Sequence, residues 1–131
     1  MKITIEYEFE CTNQDIDDIM CTALEGGITY WCDRADVIGN YLGEYASDQI
    51  SRGGKLRLHD AEENKWYGLT KENFIAGLKQ FVQARGFTND AGNGHYSSVV
   101  TTDGLLDMSK IDADAADCIV QYALFGEVVY G

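Results

Sequence analysis

The sequence predicts an α+β domain: an antiparallel sheet of four or five strands with three helices packed mainly on one face. Three observations predict it. Short runs alternate apolar and polar residues, the pattern of half-buried strands. Three longer segments repeat apolar residues at helical spacing. The chain has 131 residues, which makes one domain, residues 1–131, large enough to hold a core without disulfide or metal.

The elements follow in order. Ile3, Ile5, Tyr7, Phe9 and Cys11 share one face of a strand, and Thr4, Glu6, Glu8 and Glu10 share the other. Thr12 then caps a helix, with Asp15 placed three residues on to reach back to it. Asp15, Asp17 and Asp18 complement the positive end of the helix dipole. Ile16, Ile19, Met20, Ala23 and Leu24 form its apolar stripe, and Gly26 or Gly27 is expected to end it in the left-handed conformation. Ile28 to Cys32 reads as a second strand, rich in β-branched and aromatic residues. The stretch from Asp33 to Ile50 is less regular, with Val37 to Leu42 able to extend the sheet after a bend.

Ser51-Arg52-Gly53-Gly54 signals a turn. Lys55 to His59 and Lys65 to Leu69 then form a hairpin around the polar turn 60–64. Thr70 caps the second helix, with Phe74, Leu78, Phe81 and Val82 inward and Gly86 at its end. Residues 88–110 read mostly as loop, with a short strand or helix at Tyr96 to Val100. The third helix starts at Asp112 or Asp114, buries Ala116, Ile119, Val120 and Ala123, and stops at Gly126. Val128 to Tyr130 is placed as an edge strand.

Charge narrows the function. Twenty-two acids against ten bases leave a net charge of −12. Residues 1–48 hold eleven acids and two bases, residues 49–87 four acids and seven bases, and residues 88–131 seven acids and one base. Two acidic stretches flank a mildly basic middle. Direct nucleic-acid binding is disfavoured, because phosphate meets repulsion over most of the chain. An acidic face suits a basic protein surface, although acidity also serves solubility. The densest set is Glu6, Glu8, Glu10, Asp15, Asp17 and Asp18. Carboxylates on one face of a strand repeat at roughly 7 Å, close to the phosphate spacing of a nucleic-acid strand. No apolar run approaches the ~20 residues that cross a bilayer, and the N-terminus lacks the apolar stretch of an export signal. A cytoplasmic setting is expected.

The remaining motifs carry little chemistry. Ser51-Arg52-Gly53-Gly54-Lys55 lacks the spacing of a phosphate loop and precedes a strand, not a helix. His59 and Asp60 are adjacent on a strand and point to opposite faces. Nothing selects a catalytic nucleophile with its base, so the chain reads as a non-enzyme. Cys11 and Cys32 fall at core-facing positions, whereas Cys21 and Cys118 lie off the apolar faces of their helices. With His59 and His95 these four cysteines are the supply for a zinc site, at spacings unlike a zinc finger.

The runs Asp15 to Cys32, Gly43 to Gly54 and Asp114 to Gly126 give the chain a resemblance. It resembles a family of small, mostly uncharacterised proteins from phages and prophages of Firmicutes, over most of its length except residues 87–110. That family offers no catalytic motif to carry across. Small acidic phage proteins of this kind include anti-CRISPR inhibitors, some of which block Cas9. The resemblance therefore implies an inhibitor of a host defence nuclease, a Cas9-type effector above all, whose basic nucleic-acid channel gives an acidic protein something to engage. The alternatives are a zinc-stabilised binding module and a small enzyme or nucleotide-binding protein.

Overall fold

The computed structural model describes residues 1–3, 8–85, 87–89 and 95–131. Helix α1 spans Asn13–Thr22. The Thr12 hydroxyl accepts from the Asp15 N–H at 3.0 Å, and the Asp15 carboxylate accepts from the Thr12 N–H at 2.9 Å. The expected capping box is present, a device worth about 1 kcal/mol. Ile16, Ile19, Met20 and Ala23 are buried. The helix does not end on a left-handed glycine. The chain continues as a π-helical turn, Ala23–Gly27. Gly27 is needed for space instead, since a Cβ there would stand 2.8 Å from the Ala113 carbonyl oxygen.

The predicted strand at Ile28 to Cys32 is a turn as far as Trp31, and strand β1 is Cys32–Ile38. Ile28 and Trp31 are both buried, three residues apart. A turn that folds back puts both into the core, whereas a strand would send them to opposite faces. Strands β2, Lys55–Asp60, and β3, Lys65–Leu69, form the expected hairpin, and β1 pairs antiparallel with β2. Among the described residues the sheet is therefore three-stranded, in the order β1-β2-β3. Leu56, Leu58 and Leu69 of one face are fully buried, while Lys55, Arg57 and Trp66 of the other are exposed.

Helix α2, Lys71–Ala84, is capped by Thr70 and Asn73 and buries Phe74, Leu78, Phe81 and Val82 as expected, together with Gly77. Gly86, its predicted stop, lies outside the described residues. A separate two-stranded ladder joins β4, Phe87–Asn89, to β5, His95–Ser97. Helix α3, Ala113–Phe125, has Asp112 as its N-cap, and Gly126 closes it at φ 74°, where glycine avoids the Cβ clash. It packs along α2 and against β3.

One predicted strand is replaced, and another lies partly outside the described residues. Thr4–Tyr7 lie outside the described residues, and in the remainder of that segment Glu10 alone makes a bridge. Its N–H donates to Gly104 O at 2.7 Å, and its carbonyl accepts from Leu106 N–H at 2.9 Å. Glu10 is thus tied to 104–106, and among the described residues this segment adds no strand to the sheet. Val128 to Tyr130 is not an edge strand either. The Val129 and Tyr130 N–H groups donate to a side chain, Gln121 Oε1, each at 2.8 Å.

Candidate functional site

The six acidic residues separate into two groups. Asp15 and Asp17 serve the fold: Asp15 caps α1, and Asp17 Oδ1 accepts from the Ser51 hydroxyl at 2.5 Å. Glu8, Glu10 and Asp18 are exposed, and Glu6 lies outside the described residues. Asp18 accepts from Gln14 Nε2 at 2.9 Å. Glu8 and Glu10 stand beside an open groove of about 710 Å³ between the N-terminal segment and α2, with Phe9, Ile16 and Leu78 supplying apolar lining and Lys71 and Lys79 charge. Among the described residues only Asp33 and Asp36 form ion pairs. The other exposed acids of the described residues have no ion-pair partner.

The four cysteines are free thiols and do not converge. Among the described residues no three His, Cys, Asp or Glu side chains come together as a metal-holding group. Cys32 is buried as expected, and Cys11 is half-buried. Burial, with Asp15 nearby, pushes the Cys11 thiol up to about 12 against the opposing pull of Lys71. Cys21 is raised by its hydrogen bond to Glu25 before any effect of burial. Burial raises Cys32 and Cys118, the latter with help from Asp117. All four are held protonated at neutral pH, so none is an activated nucleophile.

The polar centre that sequence reading missed is buried. Asp117 Oδ1 accepts from Trp31 Nε1 and from Gln121 Nε2, both at 2.8 Å, and its Oδ2 accepts from the Tyr30 hydroxyl at 2.5 Å. Gln121 Nε2 also donates to the Tyr130 carbonyl at 3.1 Å. The Tyr130 hydroxyl donates to Asp60 Oδ2 at 2.7 Å, while Asp60 Oδ1 accepts from the Glu62 and Glu63 N–H groups. The Tyr130 ring stacks on Trp31 at 5.6 Å. Burial, then the bond to Asp117, lifts the Tyr30 phenol to about 12, and the bond to Asp60 raises Tyr130 as well. The network ties turn 28–31, the β2–β3 turn, α3 and the C-terminal segment together. Its members donate and accept in matched pairs, which is the condition under which buried polar groups stabilise. One signal was available: Asp117 and Gln121 stand four apart in a helix otherwise dominated by Ala, Ile, Val and Leu.

The outer sheet face brings Arg57 of the basic middle together with Arg34. Arg57 lies over the Trp66 ring at 4.2 Å and Arg34 at 5.6 Å. Asp36 accepts from both guanidinium groups, at 3.2 Å from Arg34 and 3.1 Å from Arg57. Partial burial alone would raise the Asp36 carboxyl, and the two arginines outweigh it and hold it below its ordinary value. His59 stacks obliquely on Trp66, with Nδ1 2.6 Å from Asp33 Oδ1 and Nε2 2.9 Å from Asn64 Oδ1. So His59 faces Asp33 and not its neighbour Asp60, as alternation requires.

The bond to Asp33, then that to Asn64, raises the His59 pKa above 6.5. A group with a raised folded-state pKa stabilises fully below its unfolded value and loses that contribution as pH rises through the folded value. Wild type should therefore lose more melting temperature than His59→Gln between about pH 6 and pH 8, the window around and above the ordinary histidine pKa. Parallel melting curves for the two proteins check this, and identical pH profiles would refute the pairing.

Comparison with family models, curated proteins and solved structures finds no match to this chain. Among the described residues no helix is long and apolar enough to cross a membrane.

Proposed function

We propose that the protein is a phage-type inhibitor that acts in the host cytoplasm by binding a basic surface of a nucleic-acid-handling defence nuclease, with a Cas9-type effector as the first partner to test. One observation carries this reading. Glu8, Glu10 and Asp18 are exposed and have no ion-pair partner among the described residues. Carboxylates left in this state steer a cationic surface toward the protein, and form charge-assisted hydrogen bonds once docked. The choice of a nuclease rests on the resemblance to phage proteins, and chemistry is compatible with it: a channel that holds nucleic acid is lined by cations, and those cations accept carboxylates in place of phosphates.

The expected result is salt-dependent binding between the purified protein and a Cas9-type nuclease by biolayer interferometry. The triple variant Glu8→Gln, Glu10→Gln, Asp18→Asn should bind about tenfold or more weakly, with a shallower salt dependence. These residues are exposed, so its melting temperature should stay close to that of wild type. Absence of binding would remove the nuclease reading. Binding that the triple variant leaves unchanged would remove the acidic surface from the mechanism.

A further inference from the structure

Strand β1 is paired on one side only, with β2, and no strand covers its other edge among the described residues. An open edge is a template for another strand, and proteins that avoid pairing blunt such edges with charges, lysine above all, with proline or with bulges. The segment Cys32-Asp33-Arg34-Ala35-Asp36-Val37-Ile38 has no lysine or proline; its bulge lies between Cys32 and Arg34, ahead of the regular run, and its charges are of both signs.

Its charges are self-complementary in one register. When two copies of β1 run antiparallel about a two-fold axis at Ala35, Arg34 of each copy faces Asp36 of the other. Centring on Arg34 or on Asp36 sets like charges against each other, and centring between Ala35 and Asp36 pairs neither. Directly opposed side chains share a face of the sheet. Arg34 and Asp36 already share the outer face, where they face His59 and Arg57 of β2. Ala35, at the axis, is exposed and small.

Two further observations fit a second copy. A groove of about 570 Å³ runs beside β1, lined by Ala35, Asp36, Val37, Ile38, Tyr41 and Arg57. Ile38 and Tyr41 there are 45% and 61% exposed, apolar surface that association would cover. Two chains of net charge −12 repel at long range. This sheet is where they approach with least opposition, because Arg34, Lys55, Arg57 and Lys65 are exposed on it.

We propose that β1 pairs with β1 of a second copy in the Ala35-centred register, joining the two three-stranded sheets into one. The test is sedimentation velocity on the full chain over a concentration series. Wild type should form a reversible dimer. Arg34→Glu and Asp36→Arg should each weaken it about tenfold or more, since each replaces two attractive cross-strand pairs by two repulsive ones. Mixed together, the two variants should form a heterodimer, because every cross-strand pair is then attractive again. Ala35→Glu, a change at an exposed position that sets like charges across the axis, should also give monomer. It decides the matter if circular dichroism shows that Asp36→Arg does not fold. A wild type that stays monomeric, or a dimer indifferent to Ala35→Glu and Arg34→Glu, overturns the proposal.

Discussion

Gln121→Leu should lower stability by about 3 kcal/mol and release the C-terminal segment. Leucine fills a similar volume, so the effect is not a cavity. It comes from groups left without partners. The Val129 and Tyr130 N–H groups lose the Gln121 oxygen, and the Asp117 carboxylate loses one of its donors. Each orphaned group that stays buried costs about 1–3 kcal/mol. The segment escapes most of that penalty by moving into water, which is why its release is the expected response. Such a loss lowers the melting temperature by roughly 10 °C for a domain of this size. Hydrogen exchange should show fast Val129 and Tyr130 amides in the variant and slow ones in wild type. Trp31 emission should shift too, because Tyr130 no longer stacks on it. Amides that remain protected in the variant would show that something other than Gln121 holds the segment.

The second large effect runs against helix propensity. Alanine is about 1 kcal/mol better than glycine inside a helix, so Gly77→Ala in α2 looks stabilising from the sequence. A Cβ at Gly77 would stand 2.5 Å from the Ala123 nitrogen, 2.7 Å from the Ile119 oxygen and 2.8 Å from the Ala123 Cα. All three are backbone atoms of α3, so no rotamer change relieves the clash. The helices must part, and overpacking of this kind costs about 1–3 kcal/mol. Denaturant unfolding should show Gly77→Ala less stable than wild type. Gly26 supplies the contrast: it has nothing within 4 Å of an added Cβ, and Gly26→Ala should be neutral or mildly stabilising. A stabilised Gly77→Ala protein would mean that α2 and α3 do not approach closely there.

Local chemistry explains which elements were legible. The caps at Thr12, Thr70 and Asp112, the β2–β3 hairpin and the apolar stripes of the three helices each depend on residues a few positions apart. Spacing and side-chain chemistry are enough for these. The errors lie where a distant group decides. Ile28 to Trp31 has strand composition but is drawn into a turn, because Trp31 finds Asp117 across 86 positions. Val128 to Tyr130 has strand composition too, and the Gln121 side chain takes the hydrogen bonds that a neighbouring strand would have made. Gly27 reads as a left-handed stop, but the nearby Ala113 backbone is what requires it.

The candidate site divides in the same way. Acidity was legible at once, yet six carboxylates look equivalent in a sequence. Only the fold separates Asp15 and Asp17, consumed by a cap and by Ser51, from Glu8, Glu10 and Asp18, left at the surface. The four thiols looked like a ligand supply, and the fold disperses them over different elements.

By itself, then, the sequence determined the helices with their caps, the hairpin and the net charge of −12. Those depend on near neighbours or on composition alone. Tertiary structure decided the strand order among the described residues, the path of the C-terminal segment and which carboxylates stay exposed. It also decided the buried Asp117–Gln121 centre and the position of β1 at the end of the strand order among the described residues. Each is set by which partner reaches a hydrogen-bonding group first, and partners distant in the chain are brought within reach only by folding.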